Sequence, residues 1–226
     1  MMLGARVGSW AKSGVGVPTA RDYVQDGLVA MWDGIENAGW GVHDQNATVW
    51  KDLVGDFDFD LSSASPAILS NGTTLTEESI HTDLPQVNRP KMTVEVVANP
   101  SYISQGALVW MRNPSWVGGA LVYWVSGTFY YPWNILRKGG LSNAVHSIQM
   151  FWEEGNQGVN IDGISDARTS GTVDSRNILS QIYLGEYNGS KINNSTFYSV
   201  RLYDRVLTDS ELAANYAIDK ARFNLP

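Results

Sequence analysis

The sequence predicts an all-β fold, a two-sheet antiparallel sandwich closed by one C-terminal helix. Three observations carry this. Short alternating segments, about ten to twelve of them, recur roughly every 8 to 15 residues between Gly, Pro and Asn turns. The 226 residues include 9 Trp, 10 Tyr, 6 Phe and 22 Gly but only 16 Lys and Arg, a mix that suits aromatic-rich strands joined by turns. Near the end the pattern changes period: Thr208 and Glu211 form a capping box, and Leu212, Tyr216 and Phe223 follow at near-helical spacing, which predicts a helix over about 209–222.

Residues 1–22 are rich in Gly, Ser and small side chains and predict an N-terminal arm, either disordered or packed on a partner subunit through Trp10. The sandwich domain then runs over 23–226. GLVAMWDGI (27–35) is the first strand and ENAGWGVHDQNA (36–47) a loop of turn formers. TVWKDLVG leads through Gly55 into DFDFDLS, and Asn71-Gly72 marks a hairpin turn. MTVEVVAN (92–99) sets Met92, Val94 and Val96 against Thr93, Glu95 and Val97, the period of a strand. GALVWMRN, ALVYWVSG and TFYYPWNILRK are separated by Asn113-Pro114, Gly118-Gly119 and Ser126-Gly127. AVHSIQMFWEEG, VNIDGIS, SQIYLGEY and STFYSVRLYD complete the strands, and the helix is expected to pack against the sandwich edge.

Composition excludes several function classes. A net charge of −7 without a basic run argues against nucleic acid as a partner. The absence of Cys excludes disulfides, thiolate metal sites and a Cys nucleophile. No apolar run reaches the length of a signal-peptide core or a membrane span, so no export signal and no membrane insertion are expected.

STFYSVRLYDRVLTDSELAANY (195–216) resembles the last strand and closing helix of laminin-G-like domains of the concanavalin A-like lectin/glucanase superfamily, through Phe197, Val200, Arg201, Tyr203, Arg205, Leu207, Thr208 and Glu211. GLVAMWDGI with VWKDLVGDFDF is similar to that family's opening strand and turn. MTVEVVANPS and QIYLGEYNGS resemble two further strands, in the family's order across residues 24–223. The variant with DGLVAMWDGIENAG near the start and an ANYAIDKARF ending looks like domains in surface or tail proteins of gut bacteria and their phages. The resemblance implies a jelly roll with one concave sheet, and a cell-surface or virion location. It does not imply one activity, since the superfamily holds lectins, adhesion modules, hydrolases and structural domains.

Glycoside hydrolysis needs two carboxyl groups flanking the bond, which hydrolases of this superfamily present as E-x-D-x-x-E on one strand. Glu95 is followed by Val96 and Val97, and Glu153-Glu154 are adjacent, so on a strand they face opposite ways. None of the three histidines, His43, His81 and His146, lies in a G-x-S-x-G or H-E-x-x-H context. No catalytic residue is expected, and the chain reads as a non-enzyme; a glycoside hydrolase is the remote alternative.

Asp56, Asp58 and Asp60 alternate with Phe57, Phe59 and Leu61. Burying the apolar row explains a strand by itself, at roughly 1.5–3 kcal/mol for each large side chain, with the carboxylates on its wet face. The other reading is a calcium site centred on Asp56 and Asp58, with oxygens from Asp44 and Asn46. Many laminin-G-like domains bind calcium at the sandwich rim, but the Asp they carry in the last strand falls near Tyr198 or Ser199 here. Apart from that ion, no cofactor is expected.

Sugar rings have apolar C–H faces on which Trp and Tyr stack while amides and carboxylates bind hydroxyls. The candidate carbohydrate-binding residues are Trp40, Trp116, Tyr130, Tyr131, Trp133 and Asn134, with Asn113 and Asp44 as further polar partners. The same aromatics also suit a core or a subunit interface. Trp32, Trp50, Trp110, Trp124 and Trp152 lie inside strands and are expected in the core. The function predicted is a non-catalytic carbohydrate-binding or adhesion module of a surface protein. The alternative is a structural virion or tail subunit whose partners are other subunits.

Overall fold

The computed structural model describes residues 16–225, apart from 89, 101–104, 114–115, 126–127, 131–136, 139–141, 171–177 and 192–193. The described residues open with a 3-10 turn, Ala20–Asp22. Strands follow as β1 (Leu28–Asp33), β2 (Val49–Trp50), β3 (Phe59–Asp60), β4 (Ala67–Leu69), β5 (Gly72–Leu75), β6 (Ile80–Asn88), β7 (Met92–Asn99), β8 (Gln105–Asn113) and β9 (Trp116–Val125). The second half holds β10 (Thr128–Tyr130), β11 (Arg137–Lys138), β12 (His146–Glu153), β13 (Asn156–Ile161), β14 (Ile164–Thr169), β15 (Ile178–Leu184), β16 (Glu186–Tyr187), β17 (Ser190–Lys191) and β18 (Ser195–Tyr203). The helix α1 (Asp209–Phe223) ends the fold.

The strands form an eight-stranded sheet, β14-β13-β12-β7-β18-β5-β4 with β1 also on β18, and a six-stranded sheet, β11-β10-β9-β8-β15-β6. All their pairings are antiparallel. Two hairpins, β2-β3 and β16-β17, stand apart. The predicted all-β sandwich with one closing helix is what forms.

The core lies between the two sheets, and alternation decides what enters it. Val94, Val96, Met150, Val200 and Leu202 come from one sheet, and Val109, Met111, Ile182 and Leu184 from the other. Trp32, Trp50 and Trp152 join them, fully buried as expected. Asn71-Gly72 does mark a hairpin, but Leu69 pairs with Gly72, so Ser70 and Asn71 make the turn. Gly72 is required for another reason: a Cβ there would stand 2.9 Å from the Phe197 carbonyl oxygen, and a Cβ on Gly34 would stand 2.5 Å from Gly72 Cα. Two backbones touch where neither tolerates a side chain.

The helix begins and ends where its caps dictate. Thr208 Oγ1 accepts from Glu211 N, and the Glu211 carboxylate accepts from Thr208 N at 2.8 Å, the reciprocal pattern of a capping box. Asn224 closes the helix in the left-handed region at φ 53°, a conformation Asn tolerates. The helix packs on the outer face of the eight-stranded sheet and not on its edge as expected. The reason is the polar set that β7, β12 and β18 turn away from the core, Glu95, Gln149 and Arg201, all buried. Such groups need partners, and the helix supplies Asn215, Asp219 and the Leu212 carbonyl.

Arg201 is the centre of this layer. Its Nε donates to Glu95 at 2.7 Å, and its two terminal nitrogens donate to both Asp219 oxygens at 2.9 and 2.8 Å. Asp219 also accepts from the Tyr23 hydroxyl and Ser147 Oγ, each at 2.8 Å. Burial works against the Arg201 charge, but Asp219 and Glu95 outweigh it and hold its pKa well above the usual value. A second pair, Arg222 on Asp33 at 2.8 and 2.9 Å, ties the helix to β1. Residues 19–22, read from the sequence as the end of an arm, form a capped turn whose Ala20 N donates to Glu36 at 3.0 Å; Trp10 lies outside the described residues. Among those residues no helix is long and apolar enough to cross a membrane.

His146 opens β12 with Nδ1 2.7 Å from Asp162 Oδ2 and Nε2 3.1 Å from the Ser142 carbonyl oxygen. Both partners are acceptors, so both nitrogens donate only in the imidazolium. Burial opposes that charge; the Asp162 hydrogen bond and charge outweigh it and raise the pKa above 6.5. A pKa raised by folding stabilises fully below the unfolded value and is lost as pH rises through the folded one. The stability gap between the native protein and a His146→Gln variant is therefore expected to be widest below the ordinary histidine pKa and to narrow as pH rises through the raised one. Thermal melts across that range read it, and a gap independent of pH would mean a neutral ring.

Candidate functional site

The six-stranded sheet presents a second polar and aromatic face, away from the core. Ile80 and Leu84 on β6, Ile182 and Leu184 on β15, and Val109 and Met111 on β8 point inward. Alternation then turns His81 and Asp83, Gln181 and Tyr183, and Trp110 and Arg112 outward. Register aligns them into two rows. His81 lies opposite Tyr183, and Tyr183 opposite Trp110; Asp83 lies opposite Gln181, and Gln181 opposite Arg112. One row is aromatic, and the other runs carboxylate, amide, guanidinium.

The rings touch along the first row. His81 stacks on Tyr183 with centroids 4.8 Å apart and planes at 12°, and Tyr183 and Trp110 are 5.3 Å apart. Gln181 Nε2 donates to Asp83 at 2.9 Å, and the Tyr183 hydroxyl donates to the Gln181 oxygen at 3.4 Å. The Arg112 guanidinium lies 5.0 Å from the Trp110 ring centre and 5.6 Å from that of Tyr183, within cation–π range. Exposure falls along the row: His81 is exposed, Tyr183 half-buried and Trp110 buried. The β16-β17 hairpin causes this, because Tyr187 stands edge-on against Trp110 at 5.2 Å. Glu186 anchors that hairpin by accepting from Ser79 Oγ at 2.6 Å and Gly189 N at 3.2 Å.

The sequence-predicted candidates are not brought to one place. Trp40 packs with Tyr23 and Leu53 on the helix side of the other sheet, under the Arg21 guanidinium at 4.2 Å. Trp116 pairs with Asn113 at the β8-β9 turn, and Tyr130 pairs with Tyr123 on β9 and Arg137 on β11, so both belong to the six-stranded sheet. Their side chains, like that of Trp124, lie outside what is described, and so do Tyr131, Trp133 and Asn134 entirely. Trp110 is buried as expected, but on the outer face and not in the inter-sheet core. The missed residues carry a legible signal: H-x-D, Q-x-Y and W-x-R each alternate with aliphatic neighbours on strands that pair.

DFDFDL is a strand only at Phe59–Asp60. Phe59 and Leu61 are buried and Phe57 packs against the same core. Asp58 receives Lys51 Nζ at 2.5 Å and Asp52 N at 2.9 Å, Asp60 accepts from Ser62 N, and Asp56 is exposed. Asp44 accepts from Asn46 N within its own loop. Among the described residues no group of three or more His, Asp or Glu is arranged to hold a metal ion.

A groove of about 480 Å³ opens at the N-terminus of α1, lined by Lys91, Glu153, Arg168, Arg205 and Asp209 over Phe151. Two of its charges pair with the helix, Arg168 with Asp209 at 3.3 Å and Arg205 with Glu211 at 2.6 Å. Phe151 is the one aromatic ring in its lining, against the row of three on the β6-β15-β8 face.

No family model and no curated protein matches the chain. Solved structures do. Trypanosoma rangeli sialidase superposes with a TM-score of 0.65 at 17% identity over 90% of this chain, which spans 34% of the sialidase chain. A receptor-binding domain superposes with a TM-score of 0.62 at 10% identity over 85% of this chain and 51% of that one. The receptor-binding domain of botulinum neurotoxin type G gives 0.51 at 13% identity, over 66% of this chain and 42% of that one. At these identities the likeness is one of fold.

Proposed function

We propose that the chain is a non-catalytic, laminin-G-like carbohydrate-binding module of a bacterial or phage surface protein, and that saccharide lies across β6, β15 and β8. The observation that carries this is the double row on that face. Stacked His81 and Tyr183 offer a π surface to sugar C–H faces, backed by the buried Trp110 ring, and Asp83, Gln181 and Arg112 beside them offer acceptors and donors to hydroxyls. The solved structures of like fold include a sialidase bound to sialic acid and receptor-binding domains, which supports a surface-recognition role. Neither row holds two carboxyl groups facing one bond, which supports recognition without hydrolysis.

A broad glycan array read with calcium and then with chelator tests this. The native protein is expected to bind in both conditions. Tyr183→Ala is expected to lower affinity by about 30-fold, the effect of removing a central aromatic anchor worth about 2 kcal/mol, with an unchanged melting curve. Undiminished binding by a folded Tyr183→Ala protein would sink the proposed site, and loss of binding in chelator would reinstate the calcium reading of Asp56 and Asp58.

A further inference from the structure

We infer that the saccharide recognised on this face is an amino sugar, and that its ammonium group seats at the β6 end against Asp83; this rests on the reading of that face as a glycan site. Three observations converge there. Asp83 is exposed, and among the described residues its carboxylate meets one partner, the neutral amide of Gln181, which donates to Oδ1 at 2.9 Å. No cation among those residues pairs with it. The groups beside it also present acceptors. Gln181 gives an Nε2 hydrogen to Asp83, and Tyr183 gives its one O–H to Gln181 Oε1 at 3.4 Å. That chain leaves chiefly lone pairs to a ligand, on Asp83 Oδ2, Gln181 Oε1 and the Tyr183 hydroxyl. An ammonium has three donors and no acceptor, so it is the group this arrangement complements. Finally, the platform is within reach. His81 stacks on Tyr183 with planes at 12° and precedes Asp83 by two residues on the same face of β6, roughly 7 Å. A pyranose lying on those rings brings an exocyclic amine to the carboxylate, and the π faces themselves attract a cation.

The cation of the face does not cancel this. Arg112 stands two strands away from Asp83, across Gln181, roughly 10 Å, and charges are screened beyond about 8 Å at physiological salt. The chain's overall charge of −7 favours the approach of a positively charged ligand. β6 is an edge strand, where a lone carboxylate also discourages pairing with other chains. That role needs only the charge. The bond to Gln181 on β15 does something further: it draws the carboxylate over the sheet face, beside Tyr183, and away from the open edge.

The test uses glucosamine and galactosamine oligosaccharides, each printed beside its fully N-acetylated counterpart, with the whole chain as analyte at neutral pH, where such an amine is largely protonated. The amino member of a pair is expected to bind more tightly, and its binding to weaken as salt rises. Asp83→Asn keeps the oxygen that accepts from Gln181 and removes the charge. It is expected to lower affinity for the amino member roughly three- to thirty-fold, between the effect of an exposed ion pair and that of a charge-assisted hydrogen bond. Binding of the acetylated member and the melting curve are expected to stay as they are. Asp83→Glu keeps the charge on a longer stem and is expected to retain part of the preference. Equal binding of both members, or tighter binding of the acetylated one, lost in Tyr183→Ala but untouched in Asp83→Asn, overturns the amino sugar and leaves the glycan site standing. Undiminished binding by Tyr183→Ala, or no binding to any oligosaccharide, overturns both.

Discussion

Arg201→Met is expected to destabilise the protein by about 3–5 kcal/mol, the range for removing one partner of a buried ion pair. Urea or thermal denaturation followed by tryptophan fluorescence reads it directly. Met matches much of the volume, so the loss comes chiefly from charge. Glu95 and Asp219, both fully buried, would face each other without the cation that separates them. Burial already raises the pKa of Glu95, with Arg201 the main opposing influence, so removing Arg201 pushes that carboxyl further toward its neutral form. Arg201→Lys is expected to fall between, because one ammonium cannot span the contacts that Arg201 makes to Glu95, Ser199 and Asp219. A variant as stable as the native protein would show that the layer between α1 and the sheet repacks freely.

Trp32→Ala is expected to cost a similar amount, about 3–5 kcal/mol, for a different reason. Trp32 is fully buried, its ring lies 4.6 Å from that of Phe59, and its Nε1 donates to the Phe57 carbonyl at 2.8 Å. Truncation opens a cavity and strands a carbonyl in one step. The contrast is with the aspartates beside it. Asp56→Asn should change stability by less than about 0.5 kcal/mol, as exposed substitutions do, and Asp58→Asn by no more than about 1 kcal/mol, since its partner Lys51 is surface-exposed. Denaturation of the three variants side by side separates a ring-anchored loop from one whose carboxylates carry the stability.

The elements most legible in the sequence were those specified by neighbours in the chain. Thr208 and Glu211 announce their helix because a capping box is local, and MTVEVVAN announces its strand because alternation is local. Less legible was what each outward face meets. Glu95 looked like a lone acid on a strand, yet its partners Arg201 and Asn215 lie more than a hundred residues on. Trp110 looked like core because a tryptophan inside an apolar strand is usually core. Only the pairing of β8 with β15, and of β15 with β6, brings it beside Tyr183 and His81. The loop aromatics attracted attention through composition, whereas the face assembled here is built from strand residues whose register no single segment reveals.

The path of β18 bears on how the molecule is made. It lies between β7 and the pair β1 and β5, and the helix that covers the sheet comes after it in the chain. Near the other end of the described chain, Tyr23 reaches Asp219, and Ala20 and Arg222 share Glu36. The eight-stranded sheet thus stays split until residues 195–203 are inserted, and its charged layer stays open to water until residue 222 is in place. Contacts of such sequence separation carry a large loop-closure cost and slow the search. On the ribosome, the β-strands made first must wait with unpaired edges for the last strand, an interval in which they are open to association with other chains.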